Sequence, residues 1–379
     1  MRALILDSWG TRAALAGARA LAAAGWHVGL AHPAGDGGPA MSSRRVRATH
    51  EVPPPGCAGA ELADALRRAI GAEGYEIVFA ATDADLLALS ALRGRLPAVV
   101  PHPPHASVLR ALDKAQLAAA ADAAGLPSPR TTLAGDAAAM RFPALVKPRL
   151  HGDIRAVTAA PSVDAQIVGS AAEARERLRH LRALGRDAVL QEIVHGRLVA
   201  LTVVCDRDAR PVARVQQEAL RTWPGQVGRS VRARTVAIDE HLAAGVARLL
   251  AELRWFGLAQ LQFIAPPEGP PKLIDLNGRF YGSLALALAA GVNLPASWAA
   301  LATGRPAPAS RADALAGARY QWLESDLRQA RQDRRGGSAW TDALGCLAWG
   351  VGARHSTWAA SDPRPAAQAL GALVRERLR

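Results

Sequence analysis

Short apolar runs alternate with longer helix-like runs throughout the first hundred residues, and few folds accept that order. The strand-like runs are Ala3–Leu6, His27–Ala31 and Ile77–Ala80, and the helix-like runs are Arg12–Ala24, Ala60–Ile70 and Leu86–Leu92. Strands joined by helices of this length pair in parallel, and the helices cover both faces of the sheet. The sequence therefore predicts an α/β domain at the start of the chain.

The turn after the first strand lacks the glycine pattern of dinucleotide-binding proteins. Residues 7–12 read Asp-Ser-Trp-Gly-Thr-Arg, without the spaced glycines that let a backbone approach a pyrophosphate. We therefore expect no nicotinamide site in this domain.

A break rich in proline and histidine, residues 101–105, separates this domain from a part with a mixed pattern. A helix is predicted over Asp113–Ala124, because Gly125, Pro127 and Pro129 block its continuation. Further strands are predicted over Ala144–Val146, Ala188–Gln191, Leu198–Cys205, Pro211–Gln216, Leu258–Ile264 and Lys272–Leu276, and further helices over Glu240–Leu253 and Ser283–Ala290. The second part is therefore predicted to be α+β, and the chain after it helical with interrupting loops.

The chain of 379 residues carries 46 Lys and Arg against 33 Asp and Glu, which gives a formal charge of +13. Only Lys114, Lys147 and Lys272 are lysines, and the arginines are dispersed without a dense run interleaved with aromatic residues. This distribution favours solvated helix faces over a nucleic-acid surface. The sequence has no apolar stretch of about 18 residues, so we also expect no membrane span.

Cys57, Cys205 and Cys346 are odd in number, far apart, and have no histidine beside them at metal-ligand spacing. This use of cysteine fits a reducing compartment. The start of the chain shows no basic segment followed by a long apolar core, as a signal peptide would. We therefore expect a cytoplasmic protein.

Residues 257–295 hold the densest group of side chains suited to a metal ion. Asp275 and Asn277 lie two residues apart on one predicted strand, so their side chains share a face, and Gln262 lies on the preceding strand. Carboxylate and amide oxygens suit Mg²⁺, which completes its shell with phosphate and water. Arg279 would add a planar cation beside that metal. The alternative is an ordinary Asx turn, which an isolated Asp-x-Asn forms more often.

These residues, together with further segments in the same order, resemble the ATP-grasp ligase superfamily and especially its carboxylate–amine ligase-like members. The segments are Asp113-Lys114, Gly125–Pro129, Phe142–Pro148, Val189–Gly196, Leu220–Pro224 with Gly228–Ser230, Tyr320–Leu323 and Asp362–Pro365. Each segment is unspecific by itself, so the evidence for the resemblance comes from their order along the chain. The resemblance covers residues 105–300 well and the two ends weakly.

The resemblance implies three parts. Residues 1–104 would form a Rossmann-like pre-ATP-grasp domain around a parallel sheet. Residues 105–304 would form a two-lobed ATP-grasp domain, with a lid subdomain over residues 142–195 and residues 150–187 as the natural lid. Residues 305–379 would form a small, partly helical C-terminal extension.

The resemblance also implies ATP and Mg²⁺ as cofactors, small-molecule carboxylate and amine substrates, and no nucleic-acid partner. The family's nucleotide-binding positions correspond to Lys114, Lys147, Arg149, Gln191, Glu192, Ile193 and Val194. The first three would contact the phosphates, and the last four would form the hinge that holds adenine. Its positions for magnesium correspond to Gln262, Asp275 and Asn277, and those that stabilise the transferred phosphoryl group to Arg279 and Arg221.

Gly282 and Ser283 are the candidate substrate residues. They precede a predicted helix, whose free backbone N–H groups and dipole would favour a carboxylate. The alternative for Ser283 is a simple helix N-cap.

Three departures from the family pattern stand out. Residues 148–153 hold one glycine in place of a glycine-rich phosphate loop. No acid follows the hinge between Ile193 and Cys205 to hold a ribose. Gln262 replaces the glutamate of many members, although the carbamoyl-phosphate synthase group also uses glutamine, and Asp275 is one methylene shorter than the usual glutamate.

Three hypotheses follow, of which we favour the first. It is an ADP-forming ligase that activates a carboxylate as an acyl phosphate and couples it to an amine, with amino acids or peptide-like molecules as substrates. The second is an ATP-binding homologue without ligase turnover that acts as a regulator or scaffold. The third is a nucleic-acid-binding protein whose binding would weaken steeply with salt. Substrate identity and oligomeric state, including a homodimer, stay open.

Overall fold

The structure of the chain, a computed structural model, describes residues 1–35, 37–56, 59–133, 140–150, 165–225, 228–306, 308–333 and 339–378. Three sheets organise these residues: a parallel sheet of four strands, an antiparallel sheet of four strands, and a mixed sheet of seven strands. None of the helices in the described ranges is long and apolar enough to cross a membrane.

The first sheet confirms the predicted α/β domain. Its elements and the helices around it are β1 (Arg2–Leu6), α1 (Arg12–Ala23), β2 (His27–His32), α2 (Gly38–Met41), β3 (Val46–Glu51), α3 (Gly59–Glu73), β4 (Ile77–Ala80) and α4 (Asp83–Leu92). The strands pair in parallel in the order β3-β2-β1-β4. The sequence did not predict β3, because this edge strand is half exposed and carries no apolar run.

The second sheet belongs to a small lobe with its own core. Its elements, with the two helices that lead into it, are α5 (His105–Leu112), α6 (Lys114–Ala123), β5 (Thr131–Leu133), β6 (Ala144–Pro148), β7 (Gln166–Val168), α7 (Ala171–Ala183) and β8 (Ala188–Glu192). The strands are antiparallel in the order β5-β8-β6-β7. Val146 and Leu190 pack against Leu178 and Leu181 of α7, so the lobe buries one face of its sheet.

The third sheet contains all seven remaining strands of the described residues and reaches into the C-terminal region. The elements are β9 (Arg197–Cys205), β10 (Pro211–Trp223), β11 (Arg229–Val236), α8 (Glu240–Glu252), β12 (Gly257–Ala265), β13 (Lys272–Asn277), α9 (Ala285–Ala289), α10 (Leu294–Thr303), β14 (Arg319–Gln321), α11 (Leu323–Asp333), α12 (Ala339–Gly350), β15 (Arg354–His355) and α13 (Arg364–Leu378). Their order is β13-β12-β9-β10-β11-β14-β15. Because β14 pairs with β11, residues 319–321 form part of this sheet.

Two shared cores join the first and third sheets. One contains Leu4 and Leu86 together with Leu249 and Leu276. In the other, Phe79 at the end of β4 stacks on Phe280, with ring centroids 5.2 Å apart. The carboxyl end of the parallel sheet is therefore fixed against the loop that follows β13.

The start of α13 is fastened to the first domain by a buried carboxylate. Asp362 is 1% exposed and accepts hydrogen bonds from Arg19 Nε at 2.9 Å, Ser43 Oγ at 2.6 Å and Arg44 N at 3.0 Å. These bonds hold the pKa of Asp362 below its usual range, although burial opposes that shift. The Asp-Pro-Arg-Pro segment noted in the sequence thus has a structural role: Asp362 attaches the start of α13 to the first domain, and we call this contact the Asp362 clasp.

We expect Asp362→Ala to lower the free energy of unfolding by about 2 kcal/mol, because hydrogen bonds to a charged group are lost and three donors keep no acceptor. Urea denaturation measures this change. The matched control is Asp64→Ala, which removes an exposed carboxylate paired with Arg67 and should cost no more than about 1 kcal/mol. Equal effects of the two substitutions would contradict the clasp.

Candidate functional site

A large cleft of about 1830 Å³ opens where the three sheets meet. Of the fourteen side chains and backbone positions predicted for the site, thirteen line it: Lys114, Lys147, Arg149, Gln191, Glu192, Ile193, Val194, Gln262, Asp275, Asn277, Arg279, Gly282 and Ser283. The fold therefore brings together residues that are up to 169 positions apart in the chain, as the span from Lys114 to Ser283 shows (283 − 114).

Lys147 enters the cleft from β6. Its Nζ donates to Gln191 Oε1 on the adjacent strand β8 at 2.7 Å, and Gln191 Nε2 donates to Thr131 Oγ1 at 3.0 Å. Burial, together with the nearby charge of Lys114, lowers the pKa of Lys147 to about 8, and Asp275 opposes this shift. The ammonium is therefore held in position by a neutral partner, with a second ammonium nearby.

Lys114 begins α6 and is 8% exposed. Its Nζ is buried without a hydrogen-bond partner among the described residues, and the nearest carboxylate oxygen, Asp275 Oδ1, is 3.9 Å away. Burying an ammonium without hydrogen bonds is costly, so such a group usually indicates a missing anion or water. Lys114 and Lys147 thus bring two ammonium groups close together in the cleft.

Arg149 lies beside these lysines and is held by Asp113. Its Nε donates to Asp113 Oδ2 at 2.7 Å, while Asp113 Oδ1 accepts from the backbone of Ala115 and Gln116 and caps α6. The backbone N–H of Lys114 also donates to the carbonyl of Arg149 at 3.0 Å. The predicted phosphate loop continues through residues 151–153, which lie outside the described residues, as does the rest of the predicted lid up to residue 164.

Asp275, Asn277 and Gln262 meet on the two antiparallel strands β12 and β13. Gln262 stands opposite Asp275 and Gln260 opposite Asn277, and Asn277 Nδ2 donates to Gln260 Oε1 at 3.3 Å. The donor set is one carboxylate and two amide oxygens, all hard ligands. Among the described residues, no group of three or more His, Cys, Asp and Glu side chains is placed to hold a metal ion. The set fits Mg²⁺ where phosphate and water supply the remaining ligands.

Arg279 is fixed by an acid that the sequence analysis did not single out. Its Nε and Nη2 donate to the two carboxylate oxygens of Asp83, each at 2.9 Å, and Nη2 also donates to Asn277 Oδ1 at 2.7 Å. Burial alone would lower the pKa of Arg279, but Asp83 and then Asp275 outweigh it and raise that pKa. Asp83 begins α4, so the first domain orients the arginine that lies beside the candidate metal ligands.

The residues predicted to form the hinge lie at the end of β8 and directly after it. Glu192 accepts a hydrogen bond from Lys272 Nζ at 2.8 Å and one from the backbone N–H of Arg130 at 3.2 Å. These contacts, chiefly the one with Lys272, lower the pKa of Glu192. Its side chain therefore serves the structure of the hinge, and Ile193 and Val194 continue along the cleft wall.

Gly282 and Ser283 lie in the cleft without the helix start that was expected. The helix α9 begins at Ala285 and has five residues, which is too short for a strong dipole. The hydroxyl of Ser283 is engaged with the Gln217 side chain at 3.0 and 3.1 Å. A Cβ on Gly282 would lie 2.5 Å from Arg12 Nη2, so the guanidinium of Arg12 packs directly on this glycine and would have to shift for a larger residue.

Arg221 is the predicted site residue that the structure places elsewhere. It does not line the cleft, and its Nη1 lies 3.0 Å from Asp326 Oδ1 and 3.8 Å from Cys346 Sγ. Asp326 is fully buried and also accepts from Arg232 Nε at 2.7 Å. This corrects the expectation that Arg221 faces the phosphates, because an inward β-strand position and a buried acid draw it towards α11.

Other cleft residues were not predicted as site residues because they lie outside residues 105–300, where the resemblance is strong. Arg12 enters from the start of α1, and Trp322 and Glu324 enter from the start of α11. Local sequence gave only one signal for them, the Tyr-Gln-Trp-Leu segment at residues 320–323. Their proximity depends on the pairing of β14 with β11.

A family model described as ATP-grasp in the biosynthetic pathway with Ter operon matches residues 199–326. Among solved structures, the chain resembles an L-amino acid ligase from Bacillus licheniformis, with 14% identity, a TM-score of 0.59, and coverage of 78% of this chain and 72% of that one. It also resembles N5-carboxyaminoimidazole ribonucleotide synthetase in its ADP complex, with 15% identity, a TM-score of 0.62, and coverage of 83% and 79%. No curated protein is significantly similar to the chain in sequence.

A third similar structure is the biotin carboxylase domain of 2-oxoglutarate carboxylase from Hydrogenobacter thermophilus, solved with MgADP, ADP and bicarbonate. It shares 14% identity and a TM-score of 0.64, over 84% of this chain and 73% of that one. These comparisons and the fold define the class of this chain as an α/β protein with the ATP-grasp fold. The matched family model confirms the resemblance to the ATP-grasp superfamily that the motifs predicted.

Proposed function

We propose that this protein is an ATP-dependent ligase that activates a carboxylate as an acyl phosphate, releases ADP and couples the acyl group to an amine. The observation that carries the proposal is the buried ammonium of Lys114. It has no hydrogen-bond partner among the described residues and lies 3.9 Å from Asp275, in the cleft that Lys147 also lines. A cationic pocket next to hard oxygen ligands is the arrangement that a metal-bound triphosphate requires.

Lys114, Lys147 and Arg149 would bind the phosphates. A lysine ammonium is a compact point charge that binds phosphate oxygens from many directions, and a guanidinium can add a two-point contact. Two of the three lysines in the chain line this cleft as phosphate candidates, in a protein that otherwise uses arginine. The backbone of Ile193 and Val194 would contact adenine, since the Glu192 side chain is already bound to Lys272.

Asp275, Asn277 and Gln262 would hold magnesium together with the phosphates. The ion, when bound, neutralises the charge that builds up on the transferred phosphoryl group. Asn277 already receives a hydrogen bond from Arg279, so its amide oxygen faces the same side as the guanidinium. Gln260 orients that amide from the opposite strand.

The reaction would have two steps. A carboxylate oxygen of the substrate attacks the γ-phosphorus of ATP, the bond to the bridging oxygen breaks, and ADP leaves with that electron pair. The substrate amine then attacks the acyl carbon, inorganic phosphate leaves, and the proton of the amine passes to water. Catalysis of this kind is mostly positioning and charge stabilisation, and Arg279, held by Asp83, would stabilise the phosphoryl group.

A second candidate function is nucleotide binding without turnover. It is favoured by the donor set, in which Asp275 is the only carboxylate and Gln262 contributes an amide. Such a protein would bind a nonhydrolysable ATP analogue in a way that depends on Lys147. It would release no ADP with any pair of carboxylate and amine.

The test is a screen for ADP release with Mg²⁺ over pooled amino acids and small carboxylates, followed by deconvolution of active pools. We expect at least one pool to release ADP with wild-type protein, and Asn277→Ala to abolish that release. Retained analogue binding without ADP release from any pool would favour the second candidate. Loss of both would overturn the proposal.

The affinity for a nonhydrolysable ATP analogue should fall as pH rises above about 8. The pKa of Lys147 is about 8, so the ammonium is charged below that pH and loses its proton above it. The bound phosphates favour the charged form, so the dissociation constant should rise by up to about tenfold per pH unit beyond this point. Calorimetry between pH 7 and 9.5 measures this dissociation constant. Lys147→Met should give a flat profile, and a flat wild-type profile would contradict the assignment.

A further inference from the structure

The far wall of the cleft carries a buried carboxylate that phosphate binding does not use. Glu324, in the first turn of α11, is 6% exposed and lines the cleft. Its Oε1 accepts a hydrogen bond from Thr357 Oγ1 at 2.8 Å. Its Oε2 is buried and has no hydrogen-bond partner within the described part of the chain. An unsatisfied oxygen of this kind indicates a donor that binds from the cleft.

The guanidinium of Arg12 is within electrostatic reach of this carboxylate and also of a second arginine, Arg229. The guanidinium of Arg12 lies 3.2 Å from the ring centroid of Trp322, two residues before Glu324, and its Nε donates to the carbonyl of Gly282 at 3.3 Å. Burial lowers the pKa of Arg12, and the nearby charge of Arg229 adds to that effect while Tyr320 and Glu324 oppose it. Arg12 and Arg229 both line the cleft.

The recess therefore carries charges of both signs, because Arg12 is within electrostatic reach of the buried acid Glu324 and of Arg229. A simple carboxylate ligand would be repelled by Glu324, and a simple amine would be repelled by Arg12 and Arg229. A molecule that carries an ammonium and a carboxylate a few bonds apart satisfies both ends. Gly282 connects this recess to the phosphate side, because Arg279 precedes it by three residues and Arg12 packs directly on it.

We propose that Glu324 binds the ammonium group of an amino acid whose carboxylate faces Arg12 and Arg229, so that the C-terminal region supplies the amino-acid specificity of the cleft. This proposal rests on the ligase function for its biological meaning, but it concerns binding and can be tested without turnover. Charge-assisted hydrogen bonds to a buried acid are stronger than neutral ones, so the ammonium should contribute much of the selectivity.

The experiment measures binding by ligand-observed NMR to the full-length protein, without nucleotide. The twenty proteinogenic amino acids are tested singly, and each one that binds is compared with its deaminated carboxylate and its decarboxylated amine. We expect at least one amino acid to bind, and both analogues to bind about tenfold to a hundredfold more weakly. An analogue that binds as tightly as the amino acid would overturn the proposal, and so would the absence of any binding amino acid.

Glu324→Gln is the matched variant, because the amide keeps the acceptor for Thr357 and loses the charge. We expect its amino-acid affinity to fall about tenfold or more while its affinity for the ATP analogue stays unchanged. The control is Glu252→Gln, an exposed acid paired with Arg110, which should change neither affinity. Unchanged amino-acid binding in Glu324→Gln contradicts the proposal. If Glu324→Gln does not fold, the comparison of each amino acid with its deaminated and decarboxylated forms on wild-type protein still tests the proposal.

The two proposals fail in different ways. ADP release with carboxylates that lack an ammonium, together with no amino-acid binding, would leave the ligase function standing and remove the role of Glu324. Amino-acid binding that depends on Glu324, with no nucleotide binding, would leave the role of Glu324 standing and remove the ligase function.

Discussion

Lys147→Met is expected to lower ATP-dependent ADP release by about two to three orders of magnitude, the usual effect of removing one preorganised group that stabilises transferred charge. Lys147 Nζ donates to the neutral Gln191 side chain at 2.7 Å and lies near Lys114 and Asp275 in the cleft. Methionine keeps the apolar stem and removes the ammonium. The loss should appear in turnover and in the affinity for an ATP analogue, measured by a coupled ADP assay and by calorimetry.

The same substitution should not destabilise the fold by more than about 1 kcal/mol, because burial already penalises the charged form of Lys147. Arg110→Ala is the control, since its exposed ion pair with Glu252 lies outside the cleft lining. It should leave turnover unchanged. Full activity in Lys147→Met with intact nucleotide affinity would exclude this lysine from the phosphate site.

Asp326→Ala is expected to lower the free energy of unfolding by about 3–5 kcal/mol, as is typical when one partner of a buried ion pair is removed. Asp326 is fully buried and binds Arg221 Nη1 at 3.0 Å, Arg232 Nε at 2.7 Å and Gln321 Nε2 at 2.7 Å. Its removal leaves two guanidinium groups without their acid. Because β10, β11, β14 and α11 meet at this carboxylate, the C-terminal helices should detach early.

Urea denaturation and hydrogen exchange over residues 319–350 would measure this effect. Asp208→Ala removes an exposed acid paired with Arg210 and serves as the control, with an expected cost of no more than about 1 kcal/mol. A cost for Asp326→Ala as small as that of the control would show that the network does not hold the C-terminal region.

The elements that sequence analysis predicted best are those with a clear apolar pattern. The strand Ile77–Ala80 was predicted with its observed bounds, and β12 and β13 were predicted within one residue at each end. The strand β11 was missed because arginine or serine separates its buried residues. Its alternation of Val231, Ala233 and Thr235 was a usable signal for a half-buried strand.

The site could be predicted only where its residues lie in local motifs. Lys147, Asp275 and Asn277 share such motifs, and all three line the cleft. Asp83 and Glu324 have no local signal, because the first acts through Arg279, 196 residues later, and the second reaches the cleft through the pairing of β14 with β11. Arg221 was misplaced for the same reason, since the acid that holds it is 105 residues away.

A crystal structure of the protein with a nonhydrolysable ATP analogue and Mg²⁺ tests the central claim most directly. We expect a triphosphate in the cleft, with phosphate oxygens at hydrogen-bond distance from Lys114 Nζ and Lys147 Nζ and the ion between the phosphates and Asp275. A nucleotide bound elsewhere, or bound with both lysines turned away from its phosphates, would contradict it.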